Sequence, residues 1–150
     1  MCLPKIKNIP DSIYELLLEY APRICIDIVI LCDNSVLLLR RNNEPNKDCW
    51  SLPGGRILRN EQIADAIQRR ILEELGISIN ILALQFIGIY EWVLPLRHDI
   101  SLTFKITLKS QPHIILDAQH SEYGWFRLAN LPMPLDAITL NQIMEDGQNV

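Results

Sequence analysis

The sequence predicts a mixed α/β domain with helices packed on a β-sheet, and three observations carry that prediction. Two β-branched or apolar runs, residues 23–32 (RICIDIVILC) and 35–41 (SVLLLRR), are separated by Asp33-Asn34, a pair suited to a tight hairpin turn. Residues 61–75 contain neither Gly nor Pro and stop at Gly76, the composition of a helix with its C-terminal cap. Further strand-like runs and a short terminal helix follow, and the order strand, strand, helix, strands, helix lays helices against a sheet.

Taken in chain order, residues 11–20 (DSIYELLLEY) open with Asp11 as the expected N-cap and place Ile13, Leu16, Leu17 and Tyr20 at helical spacing. This predicts a short amphipathic helix. The hairpin of 23–32 and 35–41 comes next, then the polar loop NNEPNKD and the segment CWSLPGG. The central helix spans Glu61 to Leu75. Strands are expected at 77–91, 100–108 and 122–127, and a last helix near 138–145. There is no internal repeat and no low-complexity segment.

At 150 residues the chain has the length of one ordinary domain, 1–150, able to close a hydrophobic core without disulfides or a structural metal. With 49% hydrophobic and 21% charged residues, no apolar run approaches the roughly 18 residues of a membrane span, and no charged-then-apolar leader opens the chain. A soluble, cytoplasmic protein with no membrane partner is expected. The formal charge of −4 supplies no general basic field for a nucleic-acid backbone, although local arginines can bind small anions. Cys2, Cys25, Cys32 and Cys49 form neither a C-x-x-C pair nor a staple framework and read as reduced thiols, Cys25 and Cys32 as small core residues.

The central helix carries an anomaly. At about 100° per residue from Ile63, the apolar stripe Ile67, Ile71 and Leu75 falls near 40°, 80° and 120°, with Glu74 inside it at about 20° and Glu73 outside at about 280°. An unpaired carboxylate in that place would cost several kcal/mol, so Glu74 needs a cation partner or a raised pKa. Arg70, four residues back, is one partner; its cation-first order is the weaker orientation for a helical ion pair, which leaves a metal or another cationic site as the alternative.

Upstream, Pro53-Gly54-Gly55-Arg56 offers a glycine pair where backbone can approach a ligand, beside a fixed cation. On its own it is equally a tight turn. The run Gly55-x5-Glu61-x7-Arg69-Arg70-Ile71-Leu72-Glu73-Glu74-Leu75-Gly76-Ile77 resembles the Nudix box, G-x5-E-x7-R-E-U-x-E-E-x-G-U, with U a bulky aliphatic residue. All fixed positions of residues 55–77 match except Arg70, which stands where the family has the first glutamate of its metal-binding helix. The resemblance implies the Nudix fold, a mixed β-sheet sandwiched between α-helices, and a divalent-metal diphosphate site with Glu74 as a metal ligand.

Absence of that first glutamate is a trait of the GDP-mannose mannosyl hydrolase branch, which the chain resembles from about Pro22 to Leu128. The shared features are Arg40-Arg41, CWSLPGGR, and Asp117-Ala118-Gln119-His120 followed by Tyr123 and Trp125. Carried over by position, the resemblance implies one Mg²⁺, or Mn²⁺ in its place, held by the Gly54 carbonyl, Glu74 and Gln119. It implies His120 as general base, Arg41, Arg56 and Arg69 around the diphosphate or in positioning, and Asp27 near the sugar. A homodimer is implied by the same family likeness. Asp27 is also conspicuous by itself, interrupting an apolar strand on the Cys25 and Val29 face, although a satisfied structural aspartate would read the same way. His98 and His113 read as ordinary surface or strand residues. The chain departs from the branch at Glu73, where a small residue is usual and which is therefore a candidate additional ligand. It departs again between Tyr90 and Asp99, a shorter segment with Trp92 and Asp99 in place of a histidine and a tyrosine.

The expected chemistry is attack of water on the anomeric carbon of a nucleoside-diphosphate sugar of the GDP-mannose or GDP-glucose type, releasing the nucleoside diphosphate and a free hexose. The alternative is the commoner Nudix reaction, water attacking phosphorus of a nucleotide or nucleotide sugar to release a nucleoside monophosphate. A third reading, a nucleotide-binding module without catalysis, follows if Arg70 merely neutralises Glu74.

Overall fold

The computed structural model describes residues 9–44 and 46–144. Cys2, and the part of the last predicted helix beyond Met144, lie outside them. Strand β1 (Arg23–Cys32) and strand β2 (Ser35–Arg41) form the predicted antiparallel hairpin, and Asp33 and Asn34 both take positive φ, 48° and 61°, as a primed two-residue turn requires. The CWSLPGG segment, expected as loop, contributes two short strands, β3 (Trp50–Ser51) and β4 (Gly54–Arg56). Helix α2 runs Ile63–Leu75 and ends on Gly76 at φ 67°. It begins two residues later than expected because Glu61 is engaged elsewhere, accepting the Leu58 N–H at 2.9 Å.

Residues 77–84 are not strand: a 3₁₀ turn at Ile81–Ala83 precedes β5 (Gln85–Leu94), with the Asn80 side chain accepting the Leu82 N–H. A polar side chain able to cap a turn overrides the apolar run there. Strands β6 (Arg97–Thr107) and β7 (His120–Arg127) and helix α3 (Ala137–Met144) follow the expected order with shifted ends. Among the described residues the sheet has seven strands, with the path β3-β2-β1-β6-β5, β4 beside β1 and β7 beside β2. It is mixed, because β1 and β6 run parallel from Arg23 opposite Asp99 to Leu31 opposite Thr107, whereas the other pairs are antiparallel.

Strand alternation distributes the core over two faces. Ile26, Ile28, Ile30, Leu37 and Leu39 pack with Ala66, Ile67, Ile71 and Leu75 of α2. Val29, Val36 and Leu38 point the other way and pack with Trp50, Leu52 and Ile143 of α3. The sheet is therefore sandwiched between helices, and Cys25 and Cys32 are buried free thiols. Helix α1 (Asp11–Tyr20) forms as predicted, but its apolar stripe enters neither core: Ile13, Leu16, Leu17 and Tyr20 are 41–76% exposed. Pro10, not Asp11, holds the N-cap position, and no side chain caps the helix. Tyr14 ties α1 down through polar contacts, accepting from Arg23 Nη1 at 2.5 Å with the Arg56 guanidinium 4.9 Å from its ring centroid. No helix among the described residues is long and apolar enough to cross a membrane.

Candidate active site

Backbone pairing brings the candidate residues together. In the β1–β4 ladder Asp27 lies opposite Gly54 and Cys25 opposite Arg56, while in the β2–β7 ladder Arg41 lies opposite His120 at an irregularity after Arg40. Bulges of this kind re-aim side chains beside functional sites. Asp27, Arg41, Gly54, Arg56, Glu74, Gln119 and His120 all line one open cavity of about 1170 Å³, large enough for a nucleotide-sized ligand.

One wall of the cavity is the glycine pair with α2. A Cβ at Gly54 would collide with the Ile26 carbonyl oxygen and the Asp27 side chain, so only glycine lets β4 lie this close to β1. The Gly54 N–H donates to Glu74 Oε2 at 2.9 Å. The other carboxylate oxygen, Oε1, is paired with Nη2 of Arg70. Glu74 is only 3% exposed, and its place within the apolar stripe is explained by these two partners. Arg70 Nε donates to the Gly54 carbonyl at 2.9 Å and its Nη1 to Glu73 Oε2 at 3.0 Å.

Divalent-cation ligands are available on the same wall. Glu74, Asp117 and His120 each offer a ligand atom within 4.8 Å of the others, and Gln119, an exposed residue, lines the same cavity. The carboxylate and carbonyl oxygens of this set suit Mg²⁺ or Mn²⁺ by their chemistry. Two of the oxygens, those of Gly54 and Glu74, are held by the Arg70 guanidinium.

His120 is 8% exposed, and its Nδ1 lies 2.7 Å from Asp117 Oδ1. Burial lowers its pKa below the ordinary histidine value, and the Arg41 and Arg70 charges push the same way, against the opposing pull of Asp117. That shift favours the neutral ring. With Nδ1–H given to Asp117, Nε2 is left as the proton acceptor, the state a general base requires. Burial likewise lowers the pKa of Arg41, helped by the neighbouring Arg97 charge, and an anionic ligand would relieve that environment.

Asp27 forms the floor, on the Cys25 and Val29 face as predicted. Its Oδ2 accepts from Ser101 Oγ and from Gln142 Nε2, the latter at 2.6 Å, and Gln142 Nε2 also reaches Thr103 Oγ1 at 2.9 Å. Burial raises the Asp27 pKa against those hydrogen bonds.

Arg69 and Glu73 are not brought to the cavity. Arg69 clasps Glu61 with Nε at 2.6 Å and Nη2 at 2.9 Å, and reaches the Arg56 carbonyl at 3.1 Å and Glu73 at 3.1 Å. The hydrogen bonds from Arg69 hold the Glu61 carboxyl below the usual range. Arg69 ties the loop to the helix through these contacts. The Glu73 side chain is 47% exposed and pairs with Arg69 and Arg70.

Sequence reasoning missed the cluster on the opposite wall. Arg23 grips Asp99 with two hydrogen bonds of 2.6 Å, Arg97 approaches the same carboxylate at 3.2 Å, and the Arg97 guanidinium lies 5.7 Å from the Trp92 ring centroid. All four line the cavity. Trp92 and Asp99 stood out as departures from the branch pattern; Arg23 meets Asp99 only through the β1–β6 register and Trp92 comes beside Arg97 only through the β5–β6 register, whereas Arg97 reaches Asp99 along their common strand. Asp117, the His120 partner, lay within the quoted motif without an assigned role.

Comparison with known proteins adds a family. The NUDIX domain model matches residues 21–146. The chain is 32% identical over 127 residues to the low-salt glycan biosynthesis protein Agl8 of Haloferax volcanii, covering 79% of this chain and 80% of that protein. It is 34% identical over 114 residues to an ADP-ribose pyrophosphatase of Methanocaldococcus jannaschii, covering 74% and 65%. Among solved structures, a MutT NUDIX hydrolase from Burkholderia pseudomallei superimposes with TM-score 0.75 at 28% identity, covering 83% of this chain and 97% of that one.

Proposed function

The chain belongs to the Nudix family, and from that premise we propose that it is a hydrolase of nucleoside-diphosphate sugars of the GDP-mannose or GDP-glucose type, with water attacking the anomeric carbon. The observation that carries this reading is the buried His120, its Nδ1 on Asp117, sharing a cavity with Arg41, Arg56 and Asp27. His120 Nε2 takes a proton from water as the oxygen bonds to carbon. The bond from that carbon to the diphosphate oxygen breaks, and its electron pair leaves with the nucleoside diphosphate. Arg41 and Arg56 offset the charge arriving on that leaving group. Because a diphosphate departs without needing a proton, no second carboxylic acid of the glycosidase kind is required. Asp27, accepting from Ser101 and Gln142, offers its remaining oxygen to a sugar hydroxyl. A divalent ion at Glu74, Gln119 and the Gly54 carbonyl would supply further charge stabilisation on the diphosphate.

The name of the Haloferax relative, a glycan biosynthesis protein, supports a nucleotide-sugar substrate. That of the Methanocaldococcus relative supports the second reading, pyrophosphohydrolysis with attack at phosphorus. Hydrolysis of a GDP-hexose in ¹⁸O-water separates them. Label in the free hexose, with inversion at the anomeric carbon and unlabelled GDP, is expected. GMP and a sugar phosphate, with label on phosphorus, replace the first reading by the second, and binding without turnover makes the chain a silent module. One domain over 1–150, a homodimer and a cytoplasmic location belong to the same proposal.

A further inference from the structure

The Nudix reading above assigns Glu74 and the Gly54 carbonyl to a divalent cation, yet both are already in contact with a cation. The Arg70 guanidinium spans them, Nη2 on Glu74 Oε1 and Nε on the Gly54 carbonyl, with the side chain 14% exposed. The backbone makes room for it: a Cβ on Gly55, which sits at φ 148°, would lie 2.9 Å from Arg70 Nε. A planar fork suits two oxygens on different elements, which a lysine point charge cannot span.

We propose that Arg70 is a tethered occupant of the divalent-cation seat, so that a metal ion gains Glu74 and the Gly54 carbonyl only by displacing the guanidinium toward Glu73. Charge supports a competition rather than coexistence. With Arg70 in place the Glu74 charge is balanced, and Asp117 is engaged by His120 Nδ1 and by the Gln119 N–H at 3.1 Å. A divalent ion arriving beside that guanidinium meets a like charge at a partly desolvated site. The retreat is prepared: Arg70 Nη1 already donates at 3.0 Å to Glu73, which is half exposed, so the cation keeps a partner when Glu74 is lost. Glu73, on this account, is a berth for Arg70 and not a ligand.

The proposal rests on the family reading of the diphosphate site, but its test needs no nucleotide. Mn²⁺ binding is measured by electron paramagnetic resonance on the intact protein, with thermal unfolding in parallel. Removing the arginine leaves Glu74 uncompensated, so Arg70→Gln should bind Mn²⁺ at least about ten-fold more tightly than wild type and gain thermal stability from it that wild type does not. Arg70→Lys, which keeps a cation on Glu74 but frees the Gly54 carbonyl, should fall between the two and carries the comparison if Arg70→Gln does not fold. Equal Mn²⁺ affinity in wild type and the folded Arg70 variants would overturn the proposal. Because the substrate reading is decided by the position of ¹⁸O, either can fail while the other stands.

Discussion

Two carboxylates enter the cavity from opposite faces of one sheet, and they are stabilised in different ways. Glu74 on α2 is balanced by a full charge, the Arg70 guanidinium, with one backbone N–H on its second oxygen. Asp27 on β1 accepts instead from neutral donors, Ser101 Oγ and Gln142 Nε2, and burial raises its pKa. A carboxylate held by a cation stays charged and can exchange that cation for another. One held by neutral dipoles is poised for hydroxyl groups, and here burial outweighs those dipoles in opposing its ionisation. Charged partners therefore belong to the α2 wall, and neutral polar partners to the β1 floor.

The widest gap between the two should come from removing charge without changing shape. Glu74→Gln should reduce turnover by orders of magnitude and, by stranding Arg70 among fewer acceptors, lower stability by about 3 kcal/mol, the low end for a broken buried pair because Glu73 and the Gly54 carbonyl remain. Steady-state kinetics beside urea denaturation reads both. Glu73→Gln, one residue away but exposed, is the control: a stability change within about 1 kcal/mol and little loss of turnover are expected, and equal effects at Glu73 and Glu74 would erase the distinction.

His120→Asn should slow turnover by about 10²–10⁴-fold, the range of a lost general base, with little change in Mn²⁺ affinity. Since burial holds the His120 pKa below its ordinary value, the wild-type rate should fall on acidification only below the usual histidine range. That acid limb should be missing from the pH profile of the variant. A limb that survives belongs to another group.

A smaller loss of stability than that of Glu74→Gln should come from Asp27→Asn, which keeps the shape but turns one acceptor into a donor, at a cost of about 1–2 kcal/mol. Its pH dependence has a definite sign. A folded pKa raised above the unfolded value contributes stability that is present below the unfolded pKa, about 4, and lost as pH rises through the folded pKa. Wild type should therefore lose ground against Asp27→Asn as pH rises through that window, as measured by urea denaturation at a series of pH values. A stability difference that does not change with pH would place Asp27 among ordinary ionised aspartates.

Local pattern was enough for much of this molecule. The β1–β2 hairpin, α2 with its Gly76 stop, and the inward place of Glu74 and Asp27 follow from periods of 3.6 and 2 and from turn chemistry, because each depends on residues a few positions apart. The spacing of residues 55–77 pointed to the family for the same reason. What the tertiary structure alone decided is which side chain meets which. α1 was legible as a helix but not the exposure of its stripe, and Asn80 turned an apolar run into a 3₁₀ turn. Arg69, expected around the diphosphate or in positioning, holds Glu61 and the Arg56 carbonyl, partners that its own sequence neighbourhood does not name. Arg23 reaches Asp99 through a strand register that joins distant residues, beside Arg97 two positions from Asp99 on the same strand. Sequence left open whether Arg70 or a metal balances Glu74. The fold places the Gly54 carbonyl, sixteen residues away along the chain, within reach of the same guanidinium, and the choice turns on that long-range contact.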